Sequence, residues 1–222
     1  MMETHGIMGG VNNVLEWITR LVLLNILWIF FSLLGFIVLG FFPATVAMFA
    51  VVRRWALGEM DISITEVFWR SYKKEFIKSN ILGAVIVMAG TVLVIDYYFL
   101  QQASLQIQNL LSVPFLIISI LFICVLFYIF PMYVHYDLKI AQVFKNSFFI
   151  MIMRPFSTIM IFVSSVGLAI LLSFGPPLLL VCSGNIFALV MTKPAINAFN
   201  AISKKREMVM TKNLNEKDLI NE

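Results

Sequence analysis

Between Arg20 and Arg53 lie 32 residues without a formal charge. About 20 apolar residues suffice for one helical crossing of a bilayer, so this run constrains the chain more than any other feature. Further apolar runs at 81–100, 114–134, 156–174 and 178–192 are near that length. The chain as a whole is 61% hydrophobic and 13% charged, against roughly 45–50% and about 25% in soluble domains. The pattern predicts an all-α fold: a polytopic membrane bundle of five spans, or six, with an amphipathic helix on the cytoplasmic face. Residues 1–205 are expected to form one transmembrane domain and residues 206–222 a polar cytoplasmic tail.

The basic residues orient this bundle. Residues 42–80 carry Arg53, Arg54, Arg70, Lys73, Lys74 and Lys78, six of the sixteen Lys and Arg in the chain. Three more, Lys139, Lys145 and Arg154, lie between the third and fourth apolar runs, and six lie beyond residue 192. Residues 101–112 and 175–177 carry none. Translocation is biased against Lys and Arg near span ends, so the basic segments and the C-terminus are placed in the cytoplasm of a plasma-membrane protein. The N-terminus has no cleavable-signal pattern and is read as retained.

Gly40 and Pro43 interrupt the long run, and Pro suits the first position of a new helix. Two readings follow. Either residues 21–42 cross once and residues 43–57 form a short, partly embedded helix, or the run is a tight hairpin of two short passes. The first puts Arg20 outside and gives five spans; the second keeps every basic residue inside and gives six.

After Gly58, Ser63 and Glu66 have the spacing of a capping box. The helix that follows places Ile64, Phe68, Tyr72 and Phe76 at steps of four, with Arg70, Lys73, Lys74 and Lys78 on the polar side. Such a helix lies in the headgroup plane or docks on a partner. Phe68, Trp69, Arg70, Tyr72, Lys73 and Lys74 are its candidate docking residues. Within the apolar runs, Asn25, Asp96 and Asn185 are the candidate intramembrane polar residues; the asparagines more often bond a neighbouring helix. Asp96, beside Tyr97 and Tyr98, suits an interface. Gly83 and Gly90 lie on one face of their span, open to close approach by another helix.

Little catalytic chemistry is visible. The chain has no phosphate-binding glycine loop, no H-E-x-x-H and no G-x-S-x-G pattern. His5 and His135 are its two histidines, and Cys124 and Cys182 both lie in apolar runs, where a thiol acts as a small hydrophobe. The expectation is a non-enzyme without cofactor or metal. The net charge of +4 is explained by topology, with no nucleic-acid partner, since no packed polar domain carries it.

Asn25, Pro43-Ala44-Thr45, Arg53-Arg54, Gly58-Glu59 and Phe68-Trp69-Arg70-Ser71-Tyr72-Lys73 together resemble the YesL family of small bacterial membrane proteins. Phe42 stands where that family usually has glycine. The resemblance covers residues 20–80 specifically and the span pattern beyond. Its members, mainly Gram-positive, are often encoded beside ABC importers for carbohydrates and glycan-degrading enzymes. The resemblance therefore implies an accessory or assembly partner of an oligosaccharide ABC uptake system, in contact with lipid and permease subunits, and supplies no catalytic residue. The alternative is a small transporter or channel in its own right, as an oligomer or alone, with Asn25, Asp96 and Asn185 near its path.

Overall fold

A computed structural model of the chain describes residues 4–173, 184–204 and 208. Every regular element among them is a helix: α1 (Thr4–Leu34), α2 (Val38–Ala56), α3 (Ile64–Gln102), α4 (Leu105–His135), α5 (Ile140–Met153), α6 (Pro155–Ser173) and α7 (Gly184–Lys204). Five of them, α1 from Val14 onward, α2, α3, α4 and α7, are long and apolar enough to cross a membrane. A sixth arises if α5 and α6, bent by 99° at their junction, count together. The bend falls at Arg154, the residue before Pro155, where a proline ring disfavours helical backbone. Most of the tail, and the Gly175-Pro176-Pro177 turn, lie outside the described residues.

The long charge-free run is a hairpin, as one of the two readings required, but it turns earlier than Gly40 and Pro43. Gly35, Phe36 and Ile37 separate α1 from α2. Phe36 and Ile37 take φ values of 55° and 63°, uncommon for any side chain and strained for a β-branched one. A Cβ on Gly35 would come within 2.3 Å of the Gly40 Cα. The two glycines let the arms touch, and the strained dihedrals fall on their neighbours.

Pro43 therefore sits inside α2 and not at its start. There it has no N–H to give the Leu39 carbonyl one turn earlier. Asn80 of α3 replaces the missing donor, its Nδ2 lying 3.0 Å from the Leu39 oxygen and 2.8 Å from that of Phe76. Close by, the Phe42 ring occupies the space that a Cβ on Gly83 would need, as the close approach expected at that glycine requires. Gly90 in turn faces Phe122 of α4.

The amphipathic segment and the span after it are one helix. α3 runs 39 residues without a break, about 58 Å at 1.5 Å per residue, roughly twice a hydrocarbon core. The charged half therefore cannot lie in the headgroup plane while its continuation crosses. Nothing between Lys78 and Ile81 breaks the helix, because the Asn80 side chain bonds backward to Phe76 instead of capping. The expected loop at 101–112 shrinks to Ala103 and Ser104, and much of the expected loop before Arg154 is α5. Likewise α7 continues through Pro194 to Lys204, beyond the apolar run that ends at residue 192.

Packing divides α3 and α4 into a buried and a bare half. Phe68, Tyr72 and Leu82 of α3 are buried against Leu24 and against Val46, Met48, Val52 and Trp55 of α2. Tyr128, Ile129 and Met132 of α4 join Val143 of α5 and Phe199 of α7 in an adjoining cluster. Beyond Gly83 no α3 side chain is buried, and none of α4 before Cys124. Each bare segment is about 19 residues, ~28 Å of helix, which matches the ~30 Å thickness of hydrocarbon.

The Pro43–Asn80 relation gives a test. Asn80→Leu leaves the Leu39 carbonyl without its donor and should destabilise the detergent-solubilised protein by about 1–2 kcal/mol, the usual cost of an unmet backbone partner. In a Pro43→Ala background, where the substituted residue restores the backbone N–H, the same change at Asn80 should cost clearly less. A double-mutant cycle on thermal unfolding reads the difference.

Candidate functional site

α3 divides the expected docking residues between two environments. Phe68 is fully buried and Tyr72 is 5% exposed, and Tyr72 donates its hydroxyl to the Phe31 carbonyl of α1 at 3.3 Å. Those two aromatics are core and offer nothing to a partner. Trp69 is 43% exposed, stacked on Tyr72 and against Phe31, with the Lys73 Nζ 4.6 Å above its ring. Lys74 and Arg70 are also exposed, Arg70 in an i,i+4 pair with Glu66 at 2.5 Å. The outward set is thus Trp69, Arg70, Lys73 and Lys74. Such exposed ion pairs contribute little stability.

The capping box does not form. α3 starts after Ser63 as expected, but Ser63 makes no side-chain cap bond, and the Glu66 carboxylate goes to Arg70 instead. The competing partner one turn along decides the outcome.

Where the charged half of α3 meets the end of α4, three polar pairs gather that the sequence did not suggest. Tyr133 donates to Glu75 at 2.6 Å, and Lys78 reaches Asp137 at 3.0 Å. Arg53 of α2 donates its Nε to His135 Nδ1 at 3.2 Å, and the imidazole packs on Phe199 and Tyr136. An accepting Nδ1 requires that nitrogen to be unprotonated. The adjacency of Lys78 and Asp137 could have been drawn only from antiparallel pairing of α3 with α4.

Beside these pairs lies a polar cleft of about 390 Å³ between α2, the loop after Gly58 and the start of α3. Arg53, Arg54 and Arg70 line it, together with Ser63, Ser71, Asp61 and Glu66. A larger, apolar cavity of about 710 Å³ opens among α4, α5 and α7, with Lys145 and Asn146 at its rim.

The three intramembrane candidates do not converge. Asn25 and Asn185 are buried, Asn185 donates Nδ2 to the Leu21 carbonyl, and Asn25 lies beside Gly184 at the start of α7. Thr45 accepts from Trp28 at 3.1 Å and donates to the Phe41 carbonyl at 2.7 Å. These polar groups join helices, as such residues usually do in apolar surroundings. Asp96 is exposed on the bare half of α3, away from the asparagines, and makes no ion pair among the described residues. Among the described residues no three His, Cys, Asp or Glu side chains are grouped as metal ligands.

The chain has relatives in sequence. The uncharacterized protein YesL of Bacillus subtilis (strain 168) is 39% identical over 93% of this chain and 98% of its own length. The chain belongs to the YesL family. Two more uncharacterized proteins of the same organism are similar: YteU, 37% identical over 79% of this chain and 78% of its own, and YesV, 34% identical over 64% and 69%. The family model described as "Protein of unknown function, DUF624" matches residues 21–97. Those residues hold the turn between α1 and α2, all of α2, the outward face and most of α3, and every residue of the cleft lining but Val134; the partners Tyr133, His135 and Asp137 of the three polar pairs lie beyond them. No solved structure matches the YesL-family chain.

Asp137 gives a pH test of the α3–α4 contact. The hydrogen bond from Lys78, then its charge, with a smaller pull from Lys74, holds the Asp137 carboxyl below its ordinary value near 3.8. A carboxyl lowered in the folded state stabilises the fold above its unfolded pKa and loses that contribution as pH falls through the folded value. The loss is therefore confined to pH below about 4. Carboxyl-carbon NMR should show Asp137 titrating lower in the native protein than in Lys78→Gln, with the two curves merging in unfolded protein.

Proposed function

We propose that this protein is a non-enzymatic accessory or assembly subunit of a carbohydrate ABC importer, a multi-pass plasma-membrane protein with its charged face and C-terminus in the cytoplasm. The outward set of α3 carries the reading. Trp69 and Lys73 stand clear of the core on a helix whose opposite face, Phe68 and Tyr72, is anchored in it. Trp and Arg are the residue types that most often dominate binding energy at interfaces. Three cations, Arg70, Lys73 and Lys74, beside one aromatic suit an acidic partner surface, which fixes register and speeds encounter. The importer itself enters through the gene neighbourhoods that the family resemblance implies. The cytoplasmic orientation rests on the same basic residues: in the hairpin form all sixteen Lys and Arg fall on one side, as the positive-inside bias favours.

The test is co-purification from native membranes in mild detergent, with permease subunits as the expected partners. Combined Trp69→Ala and Lys73→Glu should reduce recovery of those subunits at least tenfold with little change in melting temperature, since both side chains lie outside the core. A folded protein that recovers no permease subunit overturns the reading.

A transporter or channel is the second reading, favoured by one observation, the buried Asn25 beside the start of α7. It requires solute flux in liposomes that contain this protein alone. Because Asp96 lies away from the asparagines, the flux would be sensitive to Asn25→Ala and insensitive to Asp96→Ala.

A further inference from the structure

We propose that the cleft between α2 and the start of α3 is a binding site for a phosphate-type anion. The charge accounting points there. Arg70 is paired with Glu66 at 2.5 Å, Arg54 faces Glu59 at 3.9 Å, and Asp61 faces Arg20 at 3.9 Å. Arg53, by contrast, has no carboxylate within ion-pair distance among the described residues. Its side-chain partner among the described residues is the His135 Nδ1, which requires a bare nitrogen and so brings no countercharge. That bond orients the guanidinium and leaves four of its five N–H donors for other use. Arg54 and Arg70 line the same cleft and the hydroxyls of Ser63 and Ser71 add neutral donors; the carboxylates of Asp61 and Glu66 also line it, leaving three guanidinium groups against two carboxylates.

Guanidinium groups favour oxyanions through planar, paired hydrogen bonds. The volume of about 390 Å³ is near the lower end of ligand pockets, about 300–1,000 Å³, and exceeds a bare phosphate. A phosphate ester therefore fits it best. The cleft lies where charge begins along α2, so a lipid headgroup and a water-soluble phosphate both have access to it.

The experiment uses the full chain in a maltoside detergent without phosphate, and in nanodiscs of phosphatidylcholine with or without phosphatidylglycerol. Inorganic phosphate or phosphatidylglycerol should raise the melting temperature in a saturable way, and Arg53→Gln should weaken the apparent affinity about tenfold or more. A response to phosphatidylglycerol alone assigns the site to a headgroup; a response to inorganic phosphate in pure phosphatidylcholine assigns it to a soluble ester. If Arg53→Gln fails to fold, Arg54→Gln, at a residue that lacks the bond to His135, replaces it with the same expectation. No saturable shift from either anion, or equal shifts in the native and substituted proteins, overturns the proposal.

An independent observation carries a second inference: the α1–α2 hairpin approaches the bilayer from the charged side, and its apolar tip stops at the near edge of the hydrocarbon without crossing it. The charge-free parts of the two arms, 21–34 and 38–52, are about 14 and 15 residues, roughly 21 and 22 Å, short of the ~30 Å hydrocarbon. Leu39 at the tip is bonded to Asn80, two residues past the last cation of α3, Lys78. From Asn80, α3 continues about 22 residues, or ~33 Å, to Gln102. The tip thus lies about a bilayer thickness from the far end of α3.

The tip is also built for lipid. Phe36 is 88%, Ile37 59%, Val38 75% and Leu39 54% exposed, with no polar side chain among them. The amides of Gly35, Phe36, Ile37 and Val38 donate to carbonyls of Phe31, Leu33, Ser32 and Phe36, which keeps this irregular backbone satisfied without water.

Single cysteines at Phe36 and Ala103, in a background with Cys124 and Cys182 replaced by Ser, test the depth in proteoliposomes. A membrane-impermeant maleimide should label Ala103→Cys from the far side and leave Phe36→Cys unlabelled from both sides. A spin label at position 36 should report a depth at the headgroup boundary of the charged side, with oxygen collisions above those of an aqueous site. Labelling of Phe36→Cys from the same side as Ala103→Cys shows a full crossing, and labelling from the charged side shows a tip in water; either result overturns the inference.

Discussion

The register of this fold depends on one hydrogen bond that a proline makes necessary. Pro43 leaves the Leu39 carbonyl without its helical donor, and Asn80 supplies one from α3. In water such a carbonyl would be solvated at little cost. In an apolar setting an unpaired carbonyl costs about 1–3 kcal/mol, so a partner for it is favoured. The bond ties the tip of the hairpin to the point on α3 where charge gives way to apolar residues. Phe42 against Gly83 reinforces the same alignment.

Lipid then decides what that alignment means. Arg70, Lys73 and Lys74 are exposed on the half of α3 that packs along the hairpin. At the centre of a bilayer each would cost about 2.5–3.5 kcal/mol, far more together than one hydrogen bond contributes. The uncharged half of α3 and its antiparallel neighbour α4, bare over about 19 residues each, have the length that hydrocarbon requires. Placing those halves in the membrane satisfies both demands at once. Placing the hairpin across it would bury cations and leave the bare arm in water. Composition alone cannot tell these apart, because the hairpin and the arm are comparably apolar; only the register between them can.

The sequence made the helices legible and their breaks much less so. Charge-free runs revealed the membrane character, and steps of four from Ile64 to Phe76 revealed the buried face of α3. Missing were the turn at Phe36 and Ile37, which carries no turn residue at its strained positions, and the continuity of α3. Both have the same origin: Asn80 and Gly40 look like breakers, but the first is used as a donor to a neighbouring helix and the second as a contact surface. The capping box failed because Glu66 has Arg70 one turn along. Of the site, the basic–aromatic segment was legible as a group, whereas its division into core residues, Phe68 and Tyr72, and outward residues, Trp69 and Lys73, needed the position of Phe31. The pairs Tyr133–Glu75 and Arg53–His135 join residues 58 and 82 apart, and no local pattern announces such contacts.

The continuity of α3 has a mechanical consequence for any partner of the charged face. Trp69 and Lys73 sit on the same uninterrupted helix as the bare segment after Gly83. A helix without a break or kink moves as a strut on the scale of one bilayer, since bends need an identifiable cause. Between the two halves the hairpin grips it through Asn80, Tyr72 and Gly83. A protein docked on Trp69 therefore meets a surface whose tilt is set by how the bare halves of α3 and α4 fit the lipid. Conversely, it constrains that tilt when bound. A mobile amphipathic helix lying in the headgroup plane, joined to its span by a flexible link, would pass on neither constraint.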